Sequence, residues 1–278
     1  MRAIRDKFRG LSAPIRKLPD FLIVGAQKCG TTSLYKYLSA HPSIVPFVPV
    51  GHARKEVRYF SNYFACGLNW YKAHFPSLAY NKIIKGLTQR DLITGESSPS
   101  YMFHPHAPGR IHELLPDIRL IVLLRNPIDR AYSHYQHVVR LGREELEFER
   151  AIEIESDRLA GERDKMLTDE RYVSFERGYH SYLTRGLYAD QLEALFRLFP
   201  REQVLILNSE RFFANPGVEF RKVLNFLDVP AWDSSSYEEY NAGAYQDMPA
   251  EIRARLAEYF RAPNQRLYEL IGEEYAWH

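Results

Sequence analysis

The chain has 278 residues, 45% hydrophobic and 26% charged, a composition ordinary for a soluble globular protein able to bury a sizeable core. A net charge of +2 gives no general attraction for nucleic acid, so any anion site must be local. Two cysteines, Cys29 and Cys66, exclude a disulfide framework and a four-cysteine zinc site. No apolar run approaches the roughly 20 residues of a membrane-spanning helix, so no integral membrane segment is expected.

Residues 1–20, MRAIRDKFRGLSAPIRKLPD, are basic and lack the apolar stretch of a secretion signal. They read as a solvated, partly ordered arm whose cations can meet anionic lipid or a partner, and a cytoplasmic location is expected. FLIVG (21–25) is a short apolar run ending in glycine, a buried strand. GAQKCGTTS (25–33) follows, and then a helix with Leu34, Tyr37, Leu38 and His41 at helical spacing. LITGESSP (92–99) predicts a short strand running into a loop. IRLIVLLR (118–125) is a second, nearly all-apolar strand, as in a parallel sheet covered on both faces. The next helix starts with Asn126 as cap, Pro127 in its first turn and Asp129 beside them. Residues 142–180 are charge-rich without a strong strand and read as helical excursions and loops. QVLILNSE (203–210) is a third strand, NPGVEFRKVLNFLDVP repeats the Asn-Pro helix start, and the tail predicts two helices broken at Pro263. The alternation argues for an α/β fold with a P-loop-like parallel β-sheet flanked by helices, and for a single domain over residues 21–278.

In such sheets ligands bind at the carboxyl ends of strands. Gly25–Ser33 has the glycine spacing of a P-loop, but Thr31 follows Gly30 and the lysine, Lys28, lies inside the loop. Arg125, after the second strand, and Ser133, on the following helix, suit a separate phosphate. An NTPase fits this poorly. A donor with one phosphate cluster and a second, remote phosphate fits better.

These stretches resemble the PAPS-dependent sulfotransferases (PAPS, 3′-phosphoadenosine 5′-phosphosulfate). FLIVGAQKCGTTSLYKYLSAHP is similar to their 5′-phosphosulfate loop and IRLIVLLRNPIDRAYSHYQH to their 3′-phosphate motif. KEVRYFSNYFACGLNWYKAHFP resembles the K-E-x-x-[FY]-F segment of the heparan-sulfate N-/3-O-sulfotransferase branch. The resemblance spans roughly residues 20–275. It implies that Lys28, Cys29, Gly30, Thr31, Thr32 and Ser33 bind the phosphosulfate end, and that Arg125 and Ser133 bind the 3′-phosphate. Lys28 would also serve catalysis, and Glu56 would be the general base. PAPS would be the donor and PAP (adenosine 3′,5′-bisphosphate) the product, with no metal. Lys55, Tyr59, Glu96, Tyr101, His104 and Tyr188 are the candidate acceptor contacts, the acceptor being a hydroxyl, or less readily an amine, of a carbohydrate, glycolipid or small natural product.

Two departures stand out. The stretch from Glu96 to Tyr101 reads E-S-S-P-S-Y where many relatives of that branch have E-K-[ST]-x-x-Y, and YNAGAYQDM lacks their basic K-G-R loop. His104, His106 and His137 are rival bases. Two histidines one residue apart, with no cysteine or acidic cluster beside them, make a poor metal site. A nucleotide kinase-like phosphotransferase and a non-catalytic nucleotide-binding regulatory protein are the alternatives: a donor panel separates the first, and binding that survives loss of Glu56 while transfer stops addresses the second.

Overall fold

A computed structural model describes residues 2–51, 56–234, 237–238, 240 and 247–277. Five parallel strands form one sheet: β1 (Phe21–Gly25), β2 (Ile44–Pro46), β3 (Ile93–Ser97), β4 (Arg119–Leu124) and β5 (Val204–Asn208), in the order β2-β3-β1-β4-β5. Every residue of β1 is buried, as are all but the first of β4. Their apolar runs therefore reflect cover on both faces. Phe21 pairs with Gly95 on one side and Arg119 on the other, which fixes β1 at the centre. A Cβ on Gly95 would lie 2.6 Å from the Phe21 ring, so the close packing of these two strands depends on that glycine.

The helices in chain order are α1 (Arg2–Leu11), α2 (Thr31–Ala40), α3 (Gly67–Lys72), α4 (Leu78–Thr88), α5 (Ala107–Leu114) and α6 (Pro127–Arg140). Four short ones follow: α7 (Phe148–Glu153), α8 (Glu155–Leu159), α9 (Glu162–Thr168) and α10 (Phe175–Tyr179). The last are α11 (Tyr188–Phe196), α12 (Ser209–Ala214), α13 (Pro216–Phe226) and α14 (Ala250–Ile271). The Asn126 side chain accepts from the Ile128 N–H at 3.0 Å and caps α6, with Pro127 inside the first turn as the sequence predicts.

The tail departs from expectation. α14 runs unbroken through Pro263 rather than splitting there. Proline removes one backbone donor and crowds the preceding turn, but Leu256, Phe260 and Leu267 are buried on either side of it. Arg266 also reaches Asp190 and Glu193 of α11. Tertiary packing holds both halves in line.

The strand order reverses between β3 and β4 on either side of β1. The crevice at the carboxyl ends of β1 and β4 is therefore the topological switch point, where open α/β sheets take their ligands.

Candidate active site

The loop after β1 turns through two residues in left-handed conformation, Lys28 (φ 72°) and Gly30 (φ 90°). A Cβ on Gly30 would stand 2.8 Å from the Phe213 ring, so only glycine fits. α2 starts at once, and the amides of its first turn have no acceptor within the helix, the arrangement that binds anions at helix N-termini. Thr31 and Ser33 are buried, Thr32 is exposed, and the Ser33 Oγ accepts from the Tyr240 N–H at 2.9 Å. Behind the loop, the Ser209 hydroxyl donates to the Cys29 carbonyl at 3.0 Å. Cys29 itself is buried against the Tyr188 hydroxyl, and burial pushes its thiol up to about 11, which makes it a packing residue and not a nucleophile.

Arg125 closes β4 beside this loop. Its Nη1 donates to the Lys28 carbonyl at 3.4 Å, and its own carbonyl accepts from the Tyr188 hydroxyl at 2.9 Å. The two anion loops anticipated from sequence thus adjoin. Lys28 is held down to about 8, first by burial and then by the repulsion of Arg140 and Arg125. Arg130 on α6 adds to this electropositive side, with a neutral His134 four residues on, and no sequence reading singled out either. Both are fully buried, and desolvation lowers both. Arg130 donates through Nη2 to the Tyr182 carbonyl, while its Nε and Nη1 and both ring nitrogens of His134 lack partners among the described residues. The signal was available: two cationic types at helical spacing among Ile128, Ala131, Tyr135 and Val138, which line the buried face. Ser133, on the same helix, is also buried.

The carboxylate side forms a chain of hydrogen bonds. Arg58 Nε donates to Glu56 Oε2 at 2.6 Å, and the Arg58 N–H, from a residue at φ 54°, donates to Ser98 Oγ at 2.9 Å. Ser98 Oγ donates in turn to Glu96 Oε2 at 2.6 Å, and the Tyr101 hydroxyl to Glu96 Oε1 at 2.7 Å. The Ser98 and Met102 amides donate to the carbonyls of Ile23 and Val24, both at 3.0 Å, which ties this unit to the end of β1 where the lysine loop begins. Burial drives the Glu96 carboxyl up to about 7 and the charge of Glu56 adds to that rise, against the pull of the hydroxyl donors.

Several acceptor contacts anticipated from sequence lie elsewhere than on an open wall. Glu96 and Tyr101 are wholly buried, and Tyr188 nearly so. Tyr59 is buried and stacked on Tyr71 with ring centroids 4.4 Å apart. These groups brace the loops, because burying an aromatic hydroxyl requires a hydrogen-bond partner inside and the nearest partners are the loop carbonyl and the Glu96 carboxylate. His104 Nδ1 accepts from the His106 N–H at 3.2 Å, and His106 Nε2 donates to the Met166 carbonyl at 2.7 Å. Burial first, then Arg110 and His106, lower His104 to about 3. Lys55 and residues 241–246, most of the stretch standing where relatives have a basic loop, lie outside the described residues. Among the described residues no group of three His, Cys, Asp or Glu side chains is placed to hold a metal.

A family profile described as the sulfotransferase domain matches residues 18–258. The chain belongs to that family. The sulfotransferase is 31% identical to a crystal structure of a sulfotransferase from Alicyclobacillus acidocaldarius, with a TM-score of 0.66 over 94% of this chain and 99% of that one. It is 26% identical to the membrane-associated sulfotransferase kil1 of Dictyostelium discoideum over 94% of this chain, and spans 66% of that protein's length. It is also 26% identical to heparan sulfate glucosamine 3-O-sulfotransferase 6 of Homo sapiens, over 94% of this chain and 74% of that protein.

Proposed function

We propose that this sulfotransferase takes its sulfuryl group from PAPS and transfers it to a hydroxyl of a carbohydrate, glycolipid or small natural product, with residues 21–278 acting as one domain. The observation that carries the reading is the contact of Arg125 with the Lys28 carbonyl, which sets a helix-capped anion loop beside an independent arginine site. A donor with two separated anionic ends matches that pair. Lys28 and the Gly30–Thr32 amides would hold the phosphosulfate end, in the space that Gly30 keeps free of a Cβ, and Arg125 and Ser133 the 3′-phosphate. PAPS supplies an activated sulfuryl group, with PAP as the leaving group. Lys28 stabilises the charge that grows on the leaving oxygen.

Glu56 removes the acceptor proton, and Arg58 fixes the orientation of its carboxylate. His104 is a poorer base, since a group held down to about 3 gains little on taking a proton at neutral pH. The name of the human relative, a glucosamine 3-O-sulfotransferase, supports a carbohydrate hydroxyl as acceptor. The test is PAP release from PAPS across a panel of oligosaccharide, glycolipid and phenolic acceptors, with ATP as the control donor. Acceptor-dependent PAP release is expected, while phosphoryl transfer from ATP without it would overturn the reading.

A further inference from the structure

An amphipathic helix on a globular protein ordinarily turns its apolar stripe inward. α1 does the opposite. Its charged side faces the body: Arg9 donates to the carbonyls of Ala73 and Phe75 at 2.6 and 2.8 Å, and Arg5 to that of Pro49 at 2.8 Å. Asp6 accepts from the Gly51 N–H at 3.1 Å. Beyond the helix, Arg16 continues the same contact, donating to the Phe75 carbonyl at 2.7 Å. These bonds fix which face is left over. Ile4, Phe8, Leu11 and, in the next turn of chain, Ile15 recur at helical spacing and are 75, 66, 76 and 58% exposed. Scattered exposed apolar residues need no explanation, but a stripe held outward by polar anchors on the opposite side does.

Charge identifies the occupant. Within residues 4–20, Arg5, Arg9 and Arg16 are turned to the body and Lys17 pairs with Asp20, while Lys7 is exposed at the margin of the stripe. Arg16 bridges to Ser77, the cap of α4, so that helix starts at the same contact. α4 repeats the chemistry: Leu78, Tyr80, Ile83 and Leu87 are exposed with Lys82 among them, while Lys85 pairs with Asp91 just beyond the helix. Among the described residues no helix is long and apolar enough to cross a membrane.

We propose that the outward face of α1 is a docking surface for an anionic lipid bilayer, with Ile4, Phe8, Leu11 and Ile15 entering the headgroup–acyl boundary and the exposed lysines beside them, Lys7 and Lys82, meeting lipid phosphates. This is the interfacial mode of an amphipathic helix, whose binding combines buried apolar area with attraction to anionic headgroups. The anchoring bonds give the helix its shape before it meets the membrane, so little ordering entropy opposes binding.

The test is co-sedimentation of the whole chain with phosphatidylcholine vesicles, with and without phosphatidylserine, at low and high salt. The unaltered protein should pellet with the phosphatidylserine vesicles and be released by salt. Replacing Phe8 and Leu11 with serine should weaken partition about tenfold or more. Both side chains face solvent, so the thermal midpoint should stay unchanged, which separates lost docking from lost folding. Failure of the unaltered protein to bind anionic vesicles, or equal binding by the double variant, overturns the proposal. So does a concentration-dependent dimer that the double variant abolishes, since a second copy would then be the occupant. None of these readouts depends on sulfuryl transfer.

Discussion

Glu56 sits on an exposed-side loop, yet its partner Arg58 is locked from below through Ser98 to the buried Glu96. As the proposed base, Glu56 should be needed in the transition state more than for donor binding. Glu56→Gln should lower the transfer rate by about 10²-fold or more and leave PAP affinity nearly unchanged in calorimetry. His104→Ala should retain most of the rate; the reverse pattern would make the histidine the base. Lys28 offers a test in pH. It must be protonated to pair with an anion, and burial holds it near 8 in the free protein. PAP affinity should therefore be level below that pH and fall above it, by at most about tenfold per pH unit. Lys28→Arg should remove the fall, because a guanidinium stays charged throughout. An unaltered pH profile in that variant would mean that another group governs binding.

At the level of elements, α14 shows packing overruling a local breaker. Pro263 lies within a helix whose buried residues Leu256, Phe260 and Leu267 straddle it, so its missing donor is carried as a cost. Pro263→Ala should restore a backbone hydrogen bond and raise stability by about 1–3 kcal/mol, read as a higher midpoint in urea. A loss of stability would show that the helix is bent at this point in a way alanine cannot follow. α6 works the other way. Its cap at Asn126 follows the local sequence rules, and its interior departs from them by burying Arg130 and His134 where apolar residues would pack more cheaply. Such departures mark functional or strained sites, and this helix lines the crevice beside Lys28.

Across the whole molecule, the sheet order brings three separate stretches of chain to one edge: the loop after β1, Arg125 after β4, and the Glu96–Ser98–Arg58 chain after β3. The last leaves a mark on global stability. Burial raises the Glu96 carboxyl to about 7 in the folded state, above its ordinary range. The folded protein therefore holds a proton there that the unfolded chain has released, and the stabilisation present at low pH is lost as pH rises through 7. Between the ordinary carboxylate range and that value, this one group should cost at most about 1.4 kcal/mol per pH unit. Denaturant midpoints at pH 5, 6, 7 and 8 should show the decline in the unaltered protein and a flatter course in Glu96→Gln. A difference between the two that stays constant with pH would place the titration elsewhere.

Local signals are strong where neighbours in sequence are also neighbours in space. The apolar runs of β1, β4 and β5, the glycine turn of the Lys28 loop and the Asn126–Pro127 cap all depend on contacts within a few residues, and the sequence of this protein determined them. It also determined the family, because the phosphate loop, the K-E segment and the Arg-Ser motif are each contiguous. Tertiary structure alone decided the rest. Whether Pro263 breaks a helix depends on α11, which lies far away in the chain. Whether Tyr101, Tyr188 and Glu96 face a substrate or brace a loop depends on burial, and a tyrosine or glutamate reads the same in sequence either way. The pairing of Arg125 with Lys28 joins residues 97 apart in the chain, a contact that only the parallel register of β1 against β4 creates. The outward stripe of α1 was equally hidden: its period was legible, but which side met the body was set by carbonyls at Pro49, Ala73 and Phe75, and no local pattern in the first twenty residues contains them.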